Sequence, residues 1–192
     1  MINTNPELLE LCFDKVLHTA GVFVEIGVYK GDTFQFIARE AKLQGKKSYA
    51  FDSFAGMGEP SEFDIDPRPN KPQYPKGKFD TGGFQHIINL LSGLELNKDY
   101  FIIDGFVPET FKRFPENEKI AFVYLDVDHH QPTVDSLDWL WNKKLALGGI
   151  LLCDDFPKNT KIFAAKAIKE FMDKEKPYIF GMSEDKIAFI KQ

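Results

Sequence analysis

Short runs rich in β-branched and aromatic residues alternate along this chain with longer stretches whose apolar residues recur every three or four positions. That alternation limits the fold more than any other feature. The strand-like runs are 22–26, 48–51, 100–103, 121–125, 150–153, 178–180 and 186–190, and the helix-like stretches are 32–42, 83–91, 109–114, 133–144 and 159–174, with a further helix at 6–18 ahead of the first strand. Strands that alternate with helices build parallel βαβ units, with the sheet covered on both faces. The runs FVEI, AFVYLDV and GILLC are continuously apolar, as such doubly covered strands require. Only the stretch 181–185 separates the last two runs. It is too short for a crossover helix, so they are expected to form an antiparallel hairpin. The expectation is an α/β protein of three layers, α/β/α, with a mostly parallel seven-stranded sheet and a C-terminal antiparallel hairpin, all within one domain spanning 1–192.

Composition narrows the partners. The 192 residues hold 24 Lys and Arg against 29 Asp and Glu, a formal charge of −5, and 43% are hydrophobic, enough for one real core. The densest basic group is Lys42, Lys46 and Lys47, so a nucleic-acid backbone is not expected as the principal ligand. Cys12 and Cys153 fall in an amphipathic helix and a buried strand, where lone thiols act as small apolar fillers and no disulfide framework is expected. The first residues have neither the cationic start nor the apolar run of a signal peptide or membrane anchor. Cytoplasmic localisation and no membrane partner are the corresponding expectations.

In open parallel sheets ligands bind outside the carboxyl ends of the strands. Here those ends are acidic throughout: Glu25 on the first strand, Asp52 on the second, Asp104 on the third, Asp126 and Asp128 on the fourth, Asp154 and Asp155 on the fifth. One acid at a strand end is ordinary turn chemistry, but five successive acidic ends point to a site. These seven acids carry more than the whole net charge of the chain.

The first acid lies in EIGVYKGD. Gly27 and Gly31 would let the backbone turn sharply and approach a ligand, with a helix N-terminus offering free amides behind it. The spacing E-x-G-x-x-x-G differs from the G-x-G-x-x-G of nicotinamide dehydrogenases. Asp52, at the end of the next strand, stands where an acid commonly accepts the hydroxyls of an adenosine ribose. Asp126, Asp154 and Asp155 should end adjacent parallel strands about 4.8 Å apart, where crowded carboxylates are relieved by a hard divalent cation such as Mg²⁺. Asp155 has a second reading as the cap of a helix starting near Lys158. His129 and His130 point to different sides, so one of them faces the cleft as a base or supporting group. The stretch 54–80 holds five prolines and three glycines, yet also Phe54, Met57, Phe63, Ile65, Tyr74 and Phe79 as apolar anchors. A long loop so anchored reads as a lid or substrate loop.

At these residues the chain resembles the S-adenosylmethionine-dependent methyltransferases, and within them the macrocin O-methyltransferase family. The segments that carry the resemblance are VEIGVYKGDTF, AFDSFAGM, GGF, the LDVDHHQPT region, LGGILLCDDF and the closing KAIKEFM helix. The resemblance implies a Rossmann-like methyltransferase fold, S-adenosylmethionine as cofactor and Mg²⁺ as metal. It implies that Glu25 and Gly27 line the methionine end of the cofactor, that Asp52 binds its ribose, and that Ser53 and Asp104 lie near ribose and adenine. Asp126, Asp154 and Asp155 match the metal positions, and Asp126 or His129 is the implied proton acceptor. The implied acceptor is a small molecule, a sugar or glycoside hydroxyl, which the metal would orient and acidify. His129-His130 replaces the Leu-Tyr of many relatives, and the chain is shorter ahead of Val22. Both departures fall where acceptor or a neighbouring subunit of a homo-oligomer would touch, so the macrolide acceptor is not carried over.

Two other classes fit parts of the pattern. The Asp128-His129-His130 triplet occurs in metal-dependent phosphoesterases, but those need further aspartates near the first strand and leave Asp52 unexplained. A haloacid-dehalogenase-like phosphatase lacks its nucleophilic Asp after the first strand. A non-catalytic nucleoside-binding protein would explain the glycine turn and Asp52, and would not need the later acids.

Overall fold

The computed structural model describes residues 6–66, 74–156 and 163–192. Its order is α1 (Pro6–Lys15), β1 (Val22–Ile26), α2 (Phe34–Leu43), β2 (Ser48–Asp52), α3 (Gln85–Leu90), β3 (Tyr100–Asp104), β4 (Ile120–Leu125), α4 (His130–Trp139), β5 (Leu145–Cys153), α5 (Phe163–Glu175), β6 (Tyr178–Met182) and β7 (Ile187–Ile190). The seven strands form one sheet in the order β3-β2-β1-β4-β5-β7-β6. The first five are parallel, and β7 runs antiparallel to both β5 and β6. The expected architecture is therefore present, with one refinement: the last strand is inserted beside β5 and leaves β6 as the edge.

Burial explains the continuous apolar runs. Every residue of β1 and of β4 is buried, because helices cover both faces. Side chains alternate across the pleat, so Phe23, Phe122, Ile150 and Leu152 meet Leu8 and Phe13 of α1 and Phe34 and Ile37 of α2. Val24, Ile26, Val123, Leu125 and Leu151 meet Leu137 and Trp139 of α4 and Ile168 and Phe171 of α5. Each such side chain contributes roughly 1.5–3 kcal/mol on burial. Cys12 and Cys153 are buried free thiols within these two cores, and burial pushes the Cys12 thiol up to about 12.

Several element boundaries differ from the sequence expectation. The stretch 109–114 is a single turn of 3-10 helix, Glu109–Arg113, closed in by Pro108 and Pro115. The α4 helix begins at His130, three residues early, and ends in a π turn at Leu140–Lys144. Strand β5 begins at Leu145 rather than 150, across a bulge at Gly148-Gly149: Leu145 pairs with Ile120 and Ile150 with Phe122. The start of the expected helix 159–174, and the helix start near Lys158, lie outside the described residues. No helix among the described residues is long and apolar enough to cross a membrane.

The sheet order positions the site. From β1 the chain moves outward to β2 and β3, then returns to β4 on the other side of β1. The crevice where the direction reverses lies at the carboxyl ends of β1 and β4.

Candidate active site at the carboxyl edge of the sheet

A cleft of about 360 Å³ opens at that reversal, lined by residues that follow β1, β2, β4 and β5 and by Met57, Phe79 and Phe106 from the loops above. Glu25 lies at its wall, only 2% exposed, and its Oε2 has no hydrogen-bond partner among the described residues. Burial, with Asp52, Asp154 and Asp32 nearby, raises its pKa well above the ordinary carboxylate range. A buried acceptor left unmet is a costly feature, and its residue lines this cleft.

Gly27 lines the cleft, but its need for glycine comes from the protein itself. With φ at +87°, a β-carbon there would stand 1.7 Å from the Asp126 carbonyl oxygen. The ends of β1 and β4 are thus in direct backbone contact, sealed by the Asp126 amide donating to the Ile26 carbonyl at 2.8 Å. Gly31 does not line the cleft. A β-carbon on it would meet Ile87 Cδ1 at 2.5 Å, so its glycine serves the packing of α3.

Asp52 holds the glycine loop in shape. Its Oδ2 accepts from the amides of Val28 and Tyr29 at 2.7 and 2.8 Å, and its Oδ1 from the amide of Phe54 at 2.7 Å. Three of about four carboxylate lone-pair sites are used, which leaves one toward the cleft. Ser53 also lines the cleft, and its hydroxyl donates to the Gly56 carbonyl at 2.8 Å. Asp104 does not line it. That residue is exposed at the end of edge strand β3, with its carbonyl accepting from Arg113, and Gly105 and Phe106 take the wall position instead.

The acids of β4 and β5 divide differently from the expected trio. Carboxylate oxygens of Asp126, Asp128 and Asp155 lie within 4.8 Å of one another, a spacing that a divalent cation could bridge. Asp128 and Asp155 adopt left-handed backbone conformations, with φ of 57° and 62°, which Asp tolerates better than most residues. Asp154 also lines the cleft, with both carboxylate oxygens engaged. Its Oδ2 accepts from the Tyr124 hydroxyl at 2.7 Å, and its Oδ1 from the Lys186 ammonium at 3.1 Å and the Asp155 amide at 2.8 Å. Burial alone would raise the Asp154 carboxyl, but Lys186, Tyr124 and the Asp155 amide outweigh it and hold the group below its ordinary value. Asp126 goes the other way: burial first, then Asp154, Asp128, Asp155 and Glu25, push it well up.

The two histidines separate. His129 is buried at the cleft wall, with Nε2 3.0 Å from the Tyr74 carbonyl. A carbonyl can only accept, so Nε2 carries the proton and Nδ1 is the basic nitrogen. His130 faces away: its Nε2 meets Glu170 at 2.8 Å, its amide donates to Asp64 Oδ1 at 2.7 Å, and Phe63 packs on its ring at 4.6 Å. The Asp-His-His triplet therefore does not converge, and the phosphoesterase reading loses its metal ligands.

Within 54–80, residues 67–73 lie outside the described residues. The rest is fastened over the cleft. Met57 and Lys78 pair through backbone, Asp64 is buried and accepts from Ser61 and His130, and Lys166 sits 4.1 Å over the Phe63 ring. Tyr74 packs on Phe79 at 5.8 Å, and Phe79 on Tyr29 at 5.1 Å.

Sequence reasoning did not single out Asp64 or Lys186, nor group Asp128 with Asp126 and Asp155. Asp128 had a signal in its spacing from Asp126. The other two depend on partners 66 and 32 residues distant.

With this geometry in view, residues 24–156 match the family model described as a methyltransferase domain. The chain belongs to that family, and its sheet is the Rossmann-like methyltransferase fold. No curated protein sequence matches it. Among solved structures, the calicheamicin methyltransferase CalS11 superimposes with a TM-score of 0.80 at 18% identity, covering 99% of this chain and 80% of that one. Its apo form, described as a TDP-rhamnose 3'-O-methyltransferase, gives 0.71 at 18%, covering 99% and 81%. The O-methyltransferase NovP gives 0.71 at 20%, covering 97% and 78%. A structure of cmcI described with Mg and SAM gives 0.57 at 14%, covering 98% and 72%. At these identities the likeness establishes the fold.

Proposed function

We propose that the protein is an S-adenosylmethionine-dependent, Mg²⁺-dependent O-methyltransferase of the macrocin type, acting on a hydroxyl of a sugar or glycoside. The observation that carries this reading is the pairing, in one cleft, of a buried Glu25 whose Oε2 has no hydrogen-bond partner among the described residues with three converging carboxylates at Asp126, Asp128 and Asp155. The first suits an organic ammonium and the second a hard dication. The description of CalS11 as a TDP-rhamnose O-methyltransferase supports the sugar acceptor, and the cmcI structure with Mg and SAM supports the metal and the cofactor.

S-adenosylmethionine supplies the methyl group as a sulfonium. Glu25 receives the ammonium of its methionine part, and Gly27 lets the wall approach it. Asp52 shapes the 28–29 backbone and keeps one lone-pair site for a ribose hydroxyl, beside Ser53. Asp126, Asp154 and Asp155, with Asp128 beside them, would hold Mg²⁺, which would supply Lewis acidity toward the acceptor hydroxyl. Asp126 stands first as proton acceptor, because it lines the cleft at the point where the cation would hold the acceptor hydroxyl. His129 stands second, with Nδ1 as its basic atom. Residues 54–66 and 74–80 would form a lid that excludes water and touches the acceptor. A single domain working in the cytoplasm, with no nucleic acid or membrane partner and compatible with a homo-oligomer, completes the reading.

Labelled S-adenosylmethionine incubated with free and nucleotide-linked monosaccharides tests it. Label should appear on a sugar hydroxyl, vanish with EDTA and return with Mg²⁺. Transfer to no glycoside while a catechol is methylated would overturn the acceptor class, and transfer indifferent to EDTA would overturn the metal.

A further inference from the structure

Strand β6 is an edge of the sheet, and among the described residues nothing pairs with its outer side. Its apolar side chains are open to solvent: Tyr178 is 60% exposed, Ile179 42% and Met182 50%. A bare apolar edge is a template for another strand. The register on β7 fixes the face each residue takes, because cross-strand neighbours share a face. Tyr178 lies opposite Ile190 and Gly181 opposite Ala188, on the side covered by α1, whereas Ile179 lies opposite Phe189 and Met182 opposite Ile187, on the side covered by α5. Phe180 is the extra residue of a bulge and packs on the α1 side. From 179 to 182 the faces therefore run α5, α1, α1, α5, the same in both directions.

We propose that β6 is the contact of a two-fold homodimer, in which β6 of a second copy runs antiparallel along it and joins the two seven-stranded sheets into one. A two-fold contact must be self-complementary. The palindromic order of faces meets that demand when the axis passes between Phe180 and Gly181. Ile179 then packs on Met182 of the second copy, and Phe180 covers its Gly181, an edge glycine with no side chain of its own. Charge selects the same arrangement. Lys176 precedes the strand and Glu184 follows it, both exposed and neither in an ion pair among the described residues. Their neighbours are taken, Glu175 by Lys174 and Asp185 by Lys186. Antiparallel pairing brings each Lys176 beside Glu184 of the second copy, whereas parallel pairing would set like charges together. In the order β4-β5-β7-β6, three strand spacings, about 14 Å, separate this edge from β4, so each copy keeps its own cleft.

Sedimentation equilibrium tests this. At about 50 µM the parent should run at twice the 22.0 kDa of one chain. Ile179→Lys, which sets a charge on the edge, should run as a monomer with an unchanged circular dichroism spectrum. Lys176→Glu and Glu184→Lys should each raise the dimer dissociation constant about tenfold or more, and the double exchange should return it to within about threefold of the parent. Oxidation reads the register: Ile179→Cys combined with Met182→Cys should give a disulfide-linked dimer, and neither substitution alone should, since Cys12 and Cys153 are buried. A monomeric parent would overturn the proposal. So would a folded Ile179→Lys protein that dimerises as the parent does, because its interface lies elsewhere. If Ile179→Lys does not fold, the charge exchange decides, and no recovery in the double variant would overturn the pairing.

Discussion

Gly27 and Asp126 meet backbone to backbone, so closely that a β-carbon on the first would stand 1.7 Å from the carbonyl oxygen of the second. This contact joins the end of the strand that carries Glu25 to Asp126, one of the acids of the proposed metal site. Gly27→Ala must push the two strand ends apart and adopt a left-handed backbone as well. It should cost about 3 kcal/mol or more, lowering Tm by roughly 6–12 °C. Gly45→Ala is the control, because its φ is +69° and nothing lies within 4 Å of the added carbon. Thermal unfolding should show a loss of only about 1 kcal/mol there.

Glu25 gives the protein a pH dependence of definite sign. Its pKa is raised on folding, so the native state keeps a proton that the unfolded chain has released above about pH 4.3. Stability of the ligand-free protein should therefore fall as pH rises from about 5 toward 8. Glu25→Gln should flatten part of that fall, with Asp126, also raised, contributing the rest. The same substitution should weaken S-adenosylhomocysteine by tenfold or more in calorimetric titration.

Asp64 ties the lid to the first turn of α4, where its carboxylate meets a helix N-terminal amide that has no partner within the helix. Asp64→Ala should lower stability by about 1–3 kcal/mol. Steady-state kinetics should show the KM for acceptor rising several-fold, with S-adenosylhomocysteine affinity changed less than threefold. An equal loss of both would place Asp64 under the whole cleft rather than under the lid.

Asp126→Asn keeps the shape of the side chain and removes both its basicity and its charge toward a cation. Methyl transfer should fall by about 10²–10⁴, the range of a lost acid-base group. Cofactor affinity should stay near that of the parent, and a His129→Gln protein should lose less activity.

Much of this was legible in the chain. The apolar continuity of 22–26 and 121–125 follows from burial on both faces, and the acidic strand ends were bound to meet at one edge once the sheet was parallel. Gly27 was found for an incomplete reason, since its closest neighbour is the Asp126 carbonyl. The contacts of Asp154 could not be read, because its partner Lys186 reaches it only through the insertion of β7 beside β5. Asp104 followed the pattern of the other acidic ends, but it is exposed on edge strand β3, and the residues after it, Gly105 and Phe106, line the cleft instead. The lid's attachment depends on Asp64 finding a helix amide 66 residues on, which no local spacing encodes.

The central claim is that the cleft between the ends of β1 and β4 binds S-adenosylmethionine through Glu25. Thermal unfolding with S-adenosylhomocysteine, run in parallel on the parent and on Glu25→Gln, tests it most directly. At a hundredfold excess over the dissociation constant the parent should gain about 2.7 kcal/mol, or roughly 5–10 °C, and the variant should need at least ten times more ligand for the same shift. No shift in the parent at millimolar ligand, or an identical response from the two proteins, would contradict it.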